Sequence, residues 1–281
     1  MGGFMSVFRI QVIFVFFLLM AGCSTAPVYE SLPTSVPSTE KSQQLEKREY
    51  PKKLVPIKDP NHVLLDHKYF QIGYDKQYRL PRYVRYTVTA EQLKNKNAKR
   101  KNKFIPDPIL AEKNLHPVVT KDYVKSGYDR GHMAPSADFS FSQEANNLTF
   151  VMSNMAPQSP NLNQKAWKRL EEQVRKWGCG EERITVITGP ILTPNLAKLK
   201  SGIPVPEEFY KIVIDETPPK KTLAFIYNQK DDHKVKYQER ITTLENVLQK
   251  ANLNPGLFME HDKNIRTISS LNDWKEAACG R

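Results

Sequence analysis

The sequence has few of the features that mark several common classes of protein. Only 3 of its 281 residues are cysteine and 6 are histidine, and their spacing forms no zinc site, which would need more ligands close together. It contains no internal repeat. The apolar run Val12–Met20 is too short to cross a bilayer comfortably. What remains is a chain long enough to bury a substantial core.

Acidic residues are also scarce, with 30 against 42 lysines and arginines, so the formal net charge is +12. This excess favours an anionic partner such as nucleic acid, anionic lipid or acidic glycan. Positive charge is densest over residues 94–103, hereafter the basic segment, which contains Lys94, Lys96, Lys99, Arg100, Lys101 and Lys103. No aromatic residues are interleaved, so the segment would contact phosphates rather than stack on bases. A loop that serves only solubility is the alternative interpretation.

The N-terminus resembles a bacterial lipoprotein signal. Val12–Met20 follows Arg9, as in a secretory signal, and leads into Met20-Ala21-Gly22-Cys23-Ser24, which resembles a lipobox. We therefore predict a signal peptide over 1–22 and lipidation at Cys23; an ordinary signal peptide with an incidental cysteine is the alternative. The protein would be exported and anchored by lipid to the cell envelope. Ser24 is compatible with sorting to an outer membrane, with the domain facing the periplasm or the cell surface.

Residues 23–55 are rich in proline, serine, threonine and mixed charge, which predicts a flexible tether. The remaining residues, 56–281, are predicted to form one folded domain. Export places Cys179 and Cys279 in an oxidising compartment as an even pair, because Cys23 is used for lipid. We predict a disulfide between them; two buried free thiols are the alternative.

The pattern of the folded part predicts an α+β domain with a mainly antiparallel central sheet flanked by helices. Aromatic and β-branched residues predict strands at 69–74, 83–88, 147–155, 184–189, 209–214 and 222–227. Helical spacing of apolar residues predicts the clearest helix over about 164–177, a weak helix at 90–97 and a further helix over 239–251. Prolines predict a largely irregular segment at 104–122.

The segment Ser126–Pro135 carries Arg130 and His132 two residues apart. In an extended segment both side chains project to the same face. An arginine can hold an anion and a histidine can move a proton, so the pair suits phosphate chemistry. Taken alone, such a pair is more often a surface feature.

The predicted helix begins at Asn163 and carries Trp167, Glu171 and Arg175 at intervals of four, on one broad side. The Cα atoms of Asn163 and Glu171 would lie roughly 12 Å apart, so both could serve one metal ion only if at least one acts through water. One amide ligand with a water-mediated carboxylate suits Mg²⁺ and suits zinc poorly. The alternatives are a helix N-cap for Asn163 and a Glu171–Arg175 salt bridge, and Trp167 is expected to lie in the core.

Three blocks in this order resemble the DNA/RNA non-specific endonuclease family, of the endonuclease G type of ββα-metal nuclease. They are Asp129–His132 with Pro135, Ser153–Gln158 and Asn161–Glu171. The resemblance is strongest over 127–175 and continues more weakly over 69–227. It implies a ββα-metal motif that cuts double- and single-stranded DNA and RNA without sequence preference and leaves 5′-phosphate ends. It also implies Mg²⁺ as cofactor, with Mn²⁺ as an alternative. Family members are often homodimers, although no stretch here identifies such an interface.

The resemblance also implies roles for single residues. His132 would be the general base that takes a proton from the attacking water, and Arg130 would neutralise charge on the phosphate. Asn163 would be the direct protein ligand of the metal, and Glu171 would hold the water around it.

Two further residues receive supporting roles from the resemblance. Asn154 would support the transition state or His132, and Arg175 would help to bind the substrate. Two other functions stay open at this point. One is a lipoprotein that binds nucleic acid without cutting it, and the other is a phosphodiesterase acting on smaller substrates.

Overall fold

The computed structural model of the protein describes residues 59–254, 266–267 and 271–279. Its strands, in chain order, are β1 (His62–His67), β2 (Phe70–Asp75), β3 (Leu80–Thr89), β4 (Asp129–His132), β5 (Met155–Gln158), β6 (Arg183–Pro190), β7 (Glu208–Asp215), β8 (Lys221–Asn228), β9 (Ile241–Thr242) and β10 (Arg266–Thr267). Its α-helices are α1 (Ala90–Lys94), α2 (Pro108–Glu112), α3 (Gln143–Leu148), α4 (Lys168–Gly180) and α5 (Leu244–Lys250). A π-helical segment, Leu162–Trp167, leads directly into α4.

The main sheet has the strand order β1-β2-β3-β6-β7-β8-β10, and β9 pairs with β8. Neighbouring strands are antiparallel except for β8 and β10, which are parallel. Strands β4 and β5 form a separate antiparallel pair. The prediction of an α+β fold with a mainly antiparallel sheet is confirmed.

Both faces of the central strands are covered. On one face, α4 buries the predicted apolar stripe of its helix, with Trp167, Leu170, Val174 and Trp177 each at most 1% exposed. On the other face, side chains such as Ile212 and Ala224 pack under α5 through Val247. A fully buried side chain of this size contributes about 1.5–3 kcal/mol, so the stripe fixes the rotation of α4 about its axis. The opposite side of the helix is thereby turned toward β4.

The predicted strand over 147–155 is wrong. Residues 143–148 form α3, which begins after Ser142, whose Oγ accepts from the Ala145 amide at 3.4 Å. The strand begins only at Met155 and contains Pro157. Proline is tolerated there because β5 pairs on one side only, with β4.

Two other predicted segments also differ from the structure. The helix predicted over 239–251 begins at Leu244, after Thr243, whose Oγ1 accepts from the Asn246 amide at 3.1 Å. The residues before it pair with β8 as β9 instead. The segment 104–122 contains α2, which Asp107 caps by accepting from the Ile109 amide at 2.9 Å.

The predicted disulfide is confirmed, with the Cα atoms of Cys179 and Cys279 5.5 Å apart. It holds residues 271–279 against the end of α4, where the Ala277 amide donates to the Lys176 carbonyl at 3.0 Å. The predicted signal peptide, the lipidated Cys23 and the whole of the predicted tether lie outside the described residues. Within the described part of the chain, no helix is long and apolar enough to cross a membrane.

Replacing Cys179 and Cys279 with serine is expected to lower the free energy of unfolding by about 2–4 kcal/mol, because the disulfide closes a long loop in the unfolded chain. The two cysteines are 100 residues apart in sequence. Urea denaturation with and without reductant measures the change. Reductant should destabilise the wild type and leave the serine variant unaffected; equal stability of both proteins without reductant would contradict the structural role of this bond.

Candidate active site

An open cleft of about 970 Å³ lies between β4 on one side and α4, with the π-helical segment before it, on the other. Five of the six residues predicted for the chemistry line it: Arg130, His132, Asn163, Glu171 and Arg175. The basic segment borders the same cleft through Arg100. Residues that lie far apart in sequence therefore meet at one surface.

Strand β4 presents Arg130 and His132 to the cleft. Its register with β5 pairs Arg130 with Pro157 and His132 with Met155. Between them, Gly131 leaves room for the side chain of Gln158, which lies where a Cβ atom would project. A glycine is required here by close approach, and Gln158 therefore packs directly against the strand.

His132 is only 8% exposed and lies among aromatic rings. Its ring centroid is 5.0 Å from that of Phe150, edge-on, and 5.7 Å from that of Phe104. Burial, together with the charges of Arg100 and Arg130, lowers the pKa of His132 to about 3. The imidazole is therefore neutral at pH 7, and its Nε2 has no hydrogen-bond partner among the described residues.

Two arginines flank the imidazole. The Arg130 guanidinium lies over the ring of Phe104 at 4.1 Å and forms no ion pair within the described chain. Stacking on an aromatic face leaves the N–H edge available to an anion. Arg100 lies 5.1 Å over the Phe150 ring and donates to Ser136 Oγ at 2.6 Å. No sequence pattern distinguishes Arg100 within the basic segment, because its inward direction comes from these distant contacts.

Asn163 is held by a carboxylate from β4. Its Nδ2 donates to Asp129 Oδ2 at 2.9 Å, and Gln164 Nε2 donates to the same oxygen at 2.8 Å. Since the amide nitrogen is used, the Oδ1 atom of Asn163 is the one available to a ligand. The alternative role of Asn163 as a helix N-cap is not supported, because its side chain bonds Asp129 and no backbone N–H of the helix.

The π-helical segment changes which residues share a face. In an uninterrupted α-helix at about 100° per residue, Asn163 and Glu171 would differ by about 80° around the axis. The wider turn of a π-helix reduces the rotation per residue and so brings Asn163 round toward Glu171. Counting by four places Trp167 on the same side as Asn163 and Glu171. Trp167 is instead completely buried, as the prediction of a core position for it requires.

Arg175 pairs with Asp138 and not with Glu171. Its Nη1 donates to Asp138 Oδ1 at 2.9 Å, and the Tyr86 hydroxyl donates to Asp138 Oδ2 at 2.7 Å. Glu171 forms no ion pair within the described residues and remains half-buried at the cleft. Burial raises the pKa of Glu171, although the nearby charges of Lys211 and Arg175 oppose this effect.

Asn154 lies behind the cleft and does not line it. It is completely buried, and its amide bonds the backbone of Ala134 on both sides, accepting from N at 2.9 Å and donating to O at 3.0 Å. A further bond to the Thr149 carbonyl at 2.8 Å fixes it in place. Since Ala134 follows His132 by two residues, Asn154 supports the end of β4.

The cleft suits a hydrated divalent cation. The described residues contain no group of three or more histidine, cysteine, aspartate or glutamate side chains that could enclose a metal ion. One oriented amide oxygen on Asn163 and an unpaired carboxylate on Glu171 instead match the preference of Mg²⁺ for few protein ligands and much retained water. These residues fit such an ion.

Two short antiparallel strands followed by a helix, with an arginine, a histidine, an asparagine and a glutamate on one cleft, define a ββα-metal type of site. The sequence profile of the DNA/RNA non-specific endonuclease family matches residues 52–258. The chain therefore belongs to the DNA/RNA non-specific endonuclease family.

Individual relatives agree with this assignment. The chain is 34% identical over 174 residues to a mitochondrial nuclease of Saccharomyces cerevisiae, covering 57% of this chain and 52% of the relative. It is 33% identical over 201 residues to a nuclease of Nostoc sp., covering 70% of each. A chain of the EndoG/EndoGI complex, solved for the mechanism of EndoG inhibition, matches with a TM-score of 0.65 and 27% identity, over 76% of this chain and 92% of that one. The chain spans about half the length of several curated relatives.

Replacing Gly131 with alanine is expected to destabilise the protein by about 1–3 kcal/mol, because the added Cβ would overlap the Gln158 side chain. Urea denaturation measures the loss. In a Gln158→Ala background the space is free, so the same replacement should cost less. An equal cost in both backgrounds would show that Gln158 is not the obstacle.

Proposed function

We propose that the protein is a metal-dependent endonuclease that hydrolyses DNA and RNA without sequence preference and leaves 5′-phosphate ends. The observation that carries this proposal is the buried, neutral His132 at the same cleft as Arg130, Asn163 and Glu171, with an Nε2 atom that no described residue bonds. A base, an anion holder and a cation site are the parts that phosphodiester hydrolysis needs.

His132 accepts the proton of the attacking water. In the free protein, Arg100 and Arg130 disfavour its protonated form. A phosphate bound between these arginines offsets their charge and raises the pKa of His132, so the base becomes stronger when the substrate is in place. Asn154 acts indirectly, because it fixes the backbone that follows His132.

Arg130 and Arg175 neutralise charge that develops on the phosphate oxygens. A divalent cation, Mg²⁺ or alternatively Mn²⁺, would supply Lewis-acid stabilisation of the phosphoryl oxygens and of the leaving 3′ oxygen. The Asn163 carbonyl oxygen would be its protein ligand, and Glu171 would accept hydrogen bonds from its water shell. Asp129 orients the Asn163 amide for this purpose.

The absence of sequence preference follows from phosphate contacts, which carry no base code. The basic segment beside an open cleft favours a polymer over a small phosphodiester. Binding without cutting would not require an uncommitted imidazole and an oriented amide. Cleavage of a nucleic acid is therefore the function that the geometry supports best.

Replacing His132 with alanine is expected to reduce cleavage by roughly 10²–10⁴-fold while nucleic-acid binding is retained, because only the general base is lost. Initial rates on plasmid DNA and on RNA, with Mg²⁺ and with chelator, measure the effect. His233→Ala is the matched control, since its side chain is 60% exposed and lies outside the cleft.

Asn163→Ala in the same assay should shift the Mg²⁺ requirement to higher concentration. Equal cleavage by wild type and His132→Ala would overturn the role of the base. An unchanged Mg²⁺ titration of Asn163→Ala would overturn the role of the ligand.

We also propose export and lipid anchoring, on the resemblance of Met20–Ser24 to a lipobox. In cells, Cys23→Ser should move the protein from the membrane fraction to the soluble fraction, because no lipid could be attached. Fractionation followed by immunoblotting measures this. A Cys23→Ser variant that still partitions with membranes would refute lipid anchoring.

A further inference from the structure

Asp138 is a buried carboxylate behind the residues that line the cleft, and the proposed reaction assigns it no role. Its side chain is 2% exposed and lies in the single helical turn Ser136–Phe139, which follows β4. It accepts one hydrogen bond from Tyr86 on β3 and one from Arg175 on α4. Asp138 therefore joins β3, and the turn that follows β4, to the helix that carries the cation-binding face.

Arg175 does not pair with Glu171, although Glu171 is its neighbour on the helix. Glu171 and Arg175 are four residues apart on α4, with the glutamate N-terminal, which is the favourable order for an ion pair on a helix. Yet the described residues show no ion pair between them, and the Arg175 Nη1 atom lies 2.9 Å from Asp138. The Arg175 side chain is 14% exposed in this pair, and buried charged hydrogen bonds are stronger than exposed ones.

The turn that carries Asp138 is itself held in place. The Asp138 amide donates to the Pro135 carbonyl at 3.0 Å, and Asn146 Nδ2 donates to the Ser136 carbonyl at 2.7 Å. The second carboxylate oxygen is bonded by Tyr86, so the first one faces Arg175 in a fixed direction. Asp138 is therefore held in a position from which it can compete with Glu171 for the Arg175 guanidinium.

We propose that Asp138 is a positioning residue that holds Arg175 away from Glu171, so that the Glu171 carboxylate stays free for the water shell of a divalent cation. This inference rests on the proposed function. Without Asp138, Arg175 would turn to its helical neighbour and occupy the carboxylate. The cation site would then lose its second contact, and Arg175 would no longer face the phosphate.

The test measures Mn²⁺ binding to the nucleic-acid-free protein by electron paramagnetic resonance, for wild type, Asp138→Asn, Arg175→Met and the double variant. Asn keeps the shape of Asp138 and can still bond Tyr86, so the variant is expected to fold. Asp138→Asn should weaken Mn²⁺ binding about tenfold, within the coupling that residues of one salt-bridge network show. Arg175→Met should restore the affinity of Asp138→Asn while changing that of the wild type by less than about threefold, because no arginine remains to occupy Glu171.

If Asp138→Asn weakens Mn²⁺ binding only because a negative charge is lost, the result should differ. Arg175→Met would then change the Mn²⁺ affinity by the same factor in the wild type and in Asp138→Asn. That additive result, or unchanged Mn²⁺ binding in Asp138→Asn, would overturn the inference. Glu144→Gln is the matched control, since it removes an exposed carboxylate that pairs with Lys68 outside the cleft.

The failure of this inference can be distinguished from the failure of the proposed function. Wild-type protein that neither binds Mn²⁺ nor cuts nucleic acid would refute the proposed function.

In that case the position of Arg175 can still be followed without a metal, by the NMR signal of its side-chain Nε–H group. Asp138→Asn should shift this signal, and adding Glu171→Gln should reverse part of the shift. A signal in Asp138→Asn that Glu171→Gln leaves unchanged would contradict the inference.

Discussion

The packing of α4 against the main sheet is the constraint on which the site depends. Trp167, Leu170, Val174 and Trp177 bury one side of the helix, and this fixes the side that remains. Glu171 and Arg175 occupy that remaining side. The disulfide and the tail it holds secure the far end of the same helix. The position of the Glu171 carboxylate, on which the proposed function depends, is therefore set by the burial of apolar side chains on the other side of the same helix.

Charged neighbours set the state of the functional side chains on both sides of the cleft. On β4, burial and two arginines keep His132 neutral, so it can accept a proton. On the helix, Asp129 orients the Asn163 amide, and Asp138 holds one edge of the Arg175 guanidinium. Each carboxylate that supports the site thus acts on one functional side chain. The oxygens that would serve a cation are the ones these bonds leave unused.

Local patterns predicted much of this arrangement. Strands β2, β3, β6, β7 and β8 of the main sheet, the apolar stripe of the long helix and the disulfide follow from alternation, helical spacing and an even number of cysteines, whereas β1, β9 and β10 are not predicted. Residues 147–155 were misassigned because their apolar content resembles a strand, whereas the chain turns there and buries Val151 and Met152 in the core. The π-helical segment, the inward direction of Arg100 and the Asp138–Arg175 pair depend on contacts between distant residues, for which no local pattern exists.

In the proposed mechanism, Asn163 and His132 serve one cation-dependent site on the two sides of a bound phosphate. A crystal structure of His132→Ala with a short DNA duplex and Mn²⁺ tests it most directly, because anomalous scattering locates the metal. We expect an anomalous peak at the Asn163 amide oxygen, with Glu171 facing it through water and a phosphate beside Arg130. A peak bound elsewhere, with Asn163 still directed only at Asp129, would contradict it.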